Sequence, residues 1–216
     1  CALKSVCLRG ADLRGVYFCD VLFHNCDFAG AALVGATLHR CAFEGCRLTG
    51  ANFSAGALAD VRFSGCVAQS AVFSECGMKA VLFEQTDLSG AAFSDIGLRR
   101  RAVFAFRECS LAGAQFLHTP LAGQNFATCN IEGIALEGPE LRGARVTALQ
   151  ACELAKLLGV DALVGLCTGS IPMVGGHGTA GAFGPVLEDF GIQGATTLCT
   201  AAATYGLIAG SMMGGP

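Results

Sequence analysis

The run Gly175-Gly176-His177-Gly178-Thr179, with Ser170 just upstream, is where residue types that could do chemistry gather in one place. Glycines let backbone amides come close to a ligand. Ser170 and Thr179 offer hydroxyls, and His177 offers a ring donor that stays largely neutral near pH 7. That set suits a substrate or ion gate. It also suits a tight turn between two short helices with His177 bonded to a carbonyl, and periodicity alone favours the turn. No Gly-Lys-Ser/Thr follows the glycines, which excludes a phosphate loop. Elsewhere the 13 cysteines include no CxxC pair, and His24, His39, His118 and His177 are scattered. With no Cys/His nucleophilic pair and no paired carboxylates visible, neither a metal centre nor an enzyme is expected.

The frame for this chemistry is set by residues 3 to 98. Every fifth residue from Leu3 is Leu, Phe or Met, with Ala68 the exception. A period of five fits neither a strand nor a helix, so the chain must turn a corner once per repeat. Phe23, Phe43, Phe63 and Phe83 recur every 20 residues; Phe53, Phe73 and Phe93 recur in the column opposite. Four corners per coil therefore predict a four-sided all-β solenoid, with like side chains stacked at about 4.8 Å. Two residues before each centre the chain is small: Cys26, Ala31, Ala36, Cys41, Cys46, Ala51, Cys66, Ala71 and Cys76. Cys1, Cys109 and Cys129 fall at the same position, so these thiols are expected inside the tube as small hydrophobes. Reduced thiols point to a solenoid facing the cytosol.

Between Leu98 and Phe106 the spacing is eight, and the excess contains Arg99-Arg100-Arg101. A solvated bulge is expected there; without interleaved aromatics the arginines make a poor nucleic-acid site. The period resumes from Phe106 to Val146, giving about seven coils. Thr147 and Gln150 form a capping-box start, and Leu149, Cys152, Leu154, Leu157 and Leu158 make an apolar helical face ending before Gly159. Residues 1–150 balance 13 acids against 13 bases, and the net charge of −3 comes from the remainder. Residues 162–187 hold no charge apart from His177 if protonated, and residues 190–216 hold none. Each run exceeds the ~20 residues that cross a bilayer core. Pro172, Pro185 and the intervening glycines break the first run. The second reads as a spanning helix with Gly206, Gly210 and Gly214 spaced for close helix packing. Both chain ends read as cut, as in a fragment.

Ala11-Asp12-Leu13 and Ala51-Asn52-Phe53 show a small residue, then Asp or Asn, then Leu or Phe. Residues 1 to about 146 thereby resemble the pentapeptide-repeat family, which implies a right-handed four-sided β-helix. Leu141 to Gly159 resembles the last coil and terminal helix of the fluoroquinolone-resistance group of that family. This implies a homodimer through the cap helix and binding to type II topoisomerase as a mimic of duplex DNA. Such mimicry needs dense negative charge, about one per 1.7 Å, whereas this array is neutral. The stretches 154–165, 169–179 and 203–207 resemble the sodium/glutamate symporter family. That resemblance implies Na⁺-coupled uptake of L-glutamate by a bacterial inner-membrane protein of inverted repeats. Unwound carbonyls would hold the cation and half-helix N-termini would face the carboxylates. It assigns Ser170, Gly175, Gly176, His177, Gly178 and Thr179 to the gate.

The expected organisation is a solenoid over 1–146, a capping helix or junction over 147–159, and a helical membrane-type segment over 160–216. Within that last segment a broken helix covers 162–187 and a spanning helix covers 192–215. The expected function is a fragment of a sodium-coupled glutamate symporter behind a pentapeptide-repeat interaction domain, unable to transport alone. The alternative is a cytosolic interaction module with an incidental apolar tail. Na⁺ enters as coupling ion and no other cofactor is expected. Lipid is the expected surroundings, with the solenoid on the cytoplasmic side of the bacterial inner membrane, and nucleic acid is not an expected partner.

Overall fold

A computed structural model of the chain describes residues 1–96, 103–157, 181–182, 184–186, 188–189, 194–201 and 203–204. In its first part every fifth residue is left-handed: Ser5, Gly10, Gly15, Asp20, Asn25, Gly30 and Gly35 have φ between 53° and 68°. The series continues through Arg40 and Gly45 to Asp95, then resumes three residues out of step at Glu108, Gly113 and His118. A single left-handed residue between short extended runs swings the chain through a corner. Asp and Asn just before the repeat centres close the turns. The Asp12, Asp27, Asn52, Asp87, Asn125 and Asn130 side chains each accept the backbone N–H two residues on, at 2.9–3.2 Å. This local bond is the physical reason for the Asp/Asn in the repeat pattern.

The strands are β1 (Ala2–Lys4), β2 (Tyr17–Cys19), β3 (Leu22–His24), β4 (Thr37–His39), β5 (Ala42–Glu44), β6 (Ala57–Ser64), β7 (Gly77–Glu84) and β8 (Val103–Arg107). All pair in parallel. β1, β3, β5, β6, β7 and β8 stack along one side, and β2, β4, β6 and β7 along the next. The other two sides are held by single bridges at each level. One runs Cys7, Asp27, Arg47, Val67, Asp87, Ser110, Asn130 and the other Asp12, Ala32, Asn52, Val72, Ala92, Gln115, Ala135. Each level bonds in both directions, as where Phe28 N–H donates to Arg47 O at 2.7 Å and Arg47 N–H to Cys26 O at 2.9 Å. Backbone groups that a three-residue side could not satisfy alone are thereby paired between coils.

Two side chains per repeat enter the tube. Phenyl rings in one column stack 4.7–5.1 Å apart from Phe23 through Phe83 and from Phe53 through Phe93, within 19° of parallel. Rings in different columns meet edge to face, as Phe63 and Phe73 do at 5.9 Å, an arrangement favoured by the ring quadrupole. The small inward residues do more than fill space. Thiols of Cys26, Cys46, Cys66 and Cys76 each donate to a carbonyl of the coil below, from Leu3, Phe23, Phe43 and Phe53, at 3.0–3.4 Å. Thr86 does the same to Phe63 O at 3.3 Å, and Thr119 to Phe93 O. The described cysteines are free thiols, and burial pushes Cys76 up to about 12. Cys1 departs from its expected inward place: it is exposed. Leu3, Leu8, Leu13 and Phe18 of the first coil are likewise only half-buried.

The three extra residues shift the register from 20 to 23. Phe83 pairs with Phe106, and an irregularity sits between Lys79 and Val81; residues 97–102, with Arg99, Arg100 and Arg101, lie outside the described ones. The far end loosens too. Leu136, Leu141 and Val146 are half-buried, and a 3₁₀ turn at Pro139–Leu141 brings in Glu140, whose carboxylate accepts His118 N–H and Glu137 N–H at 3.2 and 3.1 Å. The chain divides into compact units of 1–146 and 147–216. The second opens with α1 (Ala148–Leu157), capped reciprocally: Thr147 N–H donates to Gln150 Oε1 at 2.9 Å and Gln150 N–H to Thr147 Oγ1 at 3.2 Å. Of its expected apolar face, Leu154 is buried while Leu149 is 73% and Leu157 46% exposed.

Because the ring columns carry the core, Phe63→Ala is expected to cost about 3–5 kcal/mol, and Phe18→Ala, in the half-buried first coil, less than half of that. Thermal unfolding followed by circular dichroism measures both; equal losses would contradict the described core.

Candidate functional site

Ser170, Gly175, Gly176, His177, Gly178 and Thr179 lie outside the described residues, as do Gly206, Gly210 and Gly214. Their neighbourhood is described at 181–182, 184–186, 188–189, 194–201 and 203–204, which are helical except at Gly194. Among the described residues no helix is long and apolar enough to cross a membrane. The broken helix expected over 162–187 and the spanning helix expected over 192–215 are therefore described only in these pieces.

Small residues dominate the close contacts of this unit. Ala195, Cys199 and Ala203 are buried and fall on one helical face, four apart. Glycine at 184 has a steric reason: a Cβ there would lie 2.6 Å from Thr196 Cα. Thr196 N–H donates to Glu188 Oε1 at 3.0 Å. The hydroxyls of Thr200 and Thr204 donate back to Thr196 O and Thr200 O at 2.8 and 2.9 Å. This back-bonding gives the hydroxyls acceptors within the helix itself.

On the solenoid the chemistry-bearing side chains lie outside the tube, and the 20-residue register decides which ones meet. His24 faces Glu44 at 3.4 Å, Arg40 faces Asp20 at 2.5 Å, and His118 faces Asp95 at 3.0 Å across the register shift. Arg9 holds Asp27 at 2.7 Å, and Arg62 and Arg107 flank Glu84 at 3.7 and 3.9 Å. Hydrogen bonds from the Arg14 side chain and backbone bring Asp12 to about 2, and the Arg40 guanidinium holds Asp20 well below the usual carboxylate range. Acids and bases thus stand opposite one another on the outer surface rather than forming a field of one sign.

One constellation escapes a linear reading of the sequence. Cys19 and His39 are one coil apart, which places Cys19 Sγ 3.8 Å from His39 Nδ1. The 20-residue period that aligns the phenyl rings also aligns this pair, so the missing step is to apply the period to outward positions. Among the described residues no group of three or more His, Cys, Asp or Glu side chains is placed to hold a metal.

Stacked four-sided coils of five-residue repeats define the first unit as a β-solenoid. Residues 16–93 and 36–116 match the pentapeptide repeat region family, and residues 148–216 match the sodium/glutamate symporter family. The chain thus joins a pentapeptide-repeat region to a symporter-like fragment, and the symporter match begins at the first residue of α1 rather than beyond it. The sodium/glutamate symporter of Escherichia coli is 47% identical over 64 residues, 29% of this chain and 16% of that protein. That of Haemophilus influenzae is 43% identical over 60 residues, 27% of this chain and 15% of that protein. The chain therefore spans about a sixth of the length of these relatives. Among solved structures, a trypsin-treated form of QnrB1, a plasmid-mediated fluoroquinolone resistance protein, is 21% identical with a TM-score of 0.37, covering 73% of this chain and 98% of that one. A pentapeptide repeat protein of the Arabidopsis thaliana thylakoid lumen is 23% identical with a TM-score of 0.25, covering 53% and 71%.

Close packing at Gly184 is testable within the second unit. Gly184→Leu must displace backbone at Thr196 and is expected to destabilise that unit by about 1–3 kcal/mol. Gly181→Leu is the control, since a Cβ there meets nothing within 4 Å. Limited proteolysis of the full chain should cut the first variant faster between 181 and 204; equal cutting of both would contradict the contact.

Proposed function

We propose that the chain is a piece of a membrane transport protein, symporter-like in its last third, carried behind a pentapeptide-repeat interaction domain. The observation that supports this reading is the 47% identity over 64 residues with the Escherichia coli symporter. In this reading the backbone amides at Gly175, Gly176 and Gly178 approach the carboxylates of L-glutamate. Ser170 and Thr179 supply hydroxyls to substrate or Na⁺, and His177 supplies a ring donor. Gly206, Gly210 and Gly214 let the following helix pack closely in lipid. The fragment does not transport by itself, because sites of this kind close between two inverted repeats near the bilayer midplane. The segment sits in the bacterial inner membrane with the solenoid on the cytoplasmic side, where its thiols stay reduced.

The solenoid's part in this scheme is to present stacked outward side chains to a protein partner. Its paired, balanced charges do not reproduce the one-sign field of duplex DNA, so topoisomerase binding by mimicry is not part of the proposal. A homodimer through α1 remains compatible with it, since Leu149 and Leu157 are exposed on that helix.

Expressed in a bacterial host, the full chain is expected to sediment with membranes and to be released by detergent but not by high salt. It should give no Na⁺-dependent glutamate uptake above the empty vector and no protection of DNA gyrase from a fluoroquinolone. Recovery of full-length monomer in a salt-only supernatant would overturn the membrane reading. Gyrase protection would establish the interaction-module reading in its place.

A further inference from the structure

The outward corner between the β2/β4 side and the β1/β3/β5 side carries a cluster that the transport reading leaves unused. Cys19 Sγ accepts from Arg40 Nη2 at 3.3 Å and donates to Asp20 Oδ2 at 3.2 Å. That carboxylate is itself clamped by Arg40, Nε to Oδ1 at 2.5 Å and Nη2 to Oδ2 at 2.6 Å, so its charge is offset where it meets the sulfur. Tyr17, 64% exposed, bonds to the same sulfur, and that contact pushes its phenol up. His39 presents Nδ1 to the thiol at 3.8 Å, with Arg40 Nη1 against its ring at 3.0 and 3.2 Å from the two nitrogens. Asp60 Oδ2 lies 3.8 Å from His39 Nε2. Beside the cluster runs a groove of about 470 Å³ in which Asp20, Arg40, Asp60 and Arg62, two acids and two bases, stand among smaller and apolar neighbours such as Val21 and Leu22.

We propose that Cys19, set between the Arg40 guanidinium and the His39 imidazole, is a nucleophilic thiol that exchanges with small disulfides bearing both carboxylate and ammonium groups. Donors aimed at the sulfur stabilise it as it takes on charge. The thiol proton turns from Asp20 Oδ2 to His39 Nδ1 and passes to it, and Cys19 Sγ forms a bond to one sulfur of the disulfide. The original S–S bond breaks, and its electron pair leaves with the second sulfur, which takes the proton from His39 and departs as a free thiol. Cys19 is oxidised to a mixed disulfide and the departing half is reduced, with no further reagent. The alternating acids and bases of the groove suit a zwitterionic substituent better than a neutral one. Cys1 and Cys41 also line the groove, but Cys1, like Cys7, is more exposed than Cys19, whereas Cys41 is buried and donates to Phe18 O at 3.5 Å. The proposal is independent of the membrane reading, since every group in it lies within the first four coils.

The test is mixed-disulfide formation by the full chain in detergent with glutathione disulfide, followed site by site by mass spectrometry. Cys19 is expected to react faster than Cys1 and Cys7 despite its lower exposure, and to prefer glutathione disulfide over uncharged bis(2-hydroxyethyl) disulfide. Arg40→Asn, which keeps a residue tolerant of the left-handed corner, should slow Cys19 by about tenfold, the effect of losing a charge-assisted hydrogen bond, with the rate at Cys7 unchanged. Modification of Cys41 would reveal an opened solenoid. In that event His39→Asn, at the end of β4 and outside the left-handed position, gives the same reading. Rates ordered by exposure alone, or a Cys19 rate unmoved by a folded variant, overturn the proposal.

Discussion

A left-handed backbone at every fifth residue is the constraint on which the first unit depends. It confines each side of the coil to a few extended residues, too short to satisfy its own backbone groups, so every level must bond to the levels on either side. That requirement fixes the register at 20 residues, and the register in turn stacks like upon like. The phenyl columns, the inward thiols and the outward ion pairs all follow from one repeated turn.

Stacking also decides where polar groups can go inside the tube. The small inward position faces a carbonyl of the coil below, and a thiol or hydroxyl there can donate to it. Alanine leaves that carbonyl to its backbone partner, and Val61, Val81 and Ile96 are buried at the same position. Cysteine is accommodated there as a small apolar side chain that can also donate. The same geometry brings chemistry to the outer face, because residues remote in sequence become neighbours whenever their numbers differ by one coil.

The period of five and the alternation of Phe columns were legible because burial leaves a periodic mark on the sequence. The capping box at Thr147 and Gln150 was legible because it is local. The corner positions were harder to see. Gly, Asn and Asp occupy many of them, but Arg40, Glu75 and Ala80 adopt the same left-handed backbone, so identity alone blurs the signal. Cys1 follows the inward pattern yet is exposed. Cys19 and His39 belong to no linear motif; only the coil brings them together. Leu149 and Leu157 repeat like core residues yet lie exposed, since helical periodicity does not say which neighbours an apolar face will find.

The boundary between the two compact units, after Val146, nearly coincides with the start of the symporter match at 148. Two patterns with different physics meet there: one satisfies its backbone between coils, the other within helices. The account of the first unit stands or falls with its corners, and Gly35 isolates the point because a Cβ there would meet nothing within 4 Å while φ is 68°. The decisive measurement is the unfolding free energy of Gly35→Val beside Gly35→Asn. A loss of about 1–2 kcal/mol for valine with little change for asparagine is expected from the left-handed backbone alone, and equal effects of the two substitutions would contradict it.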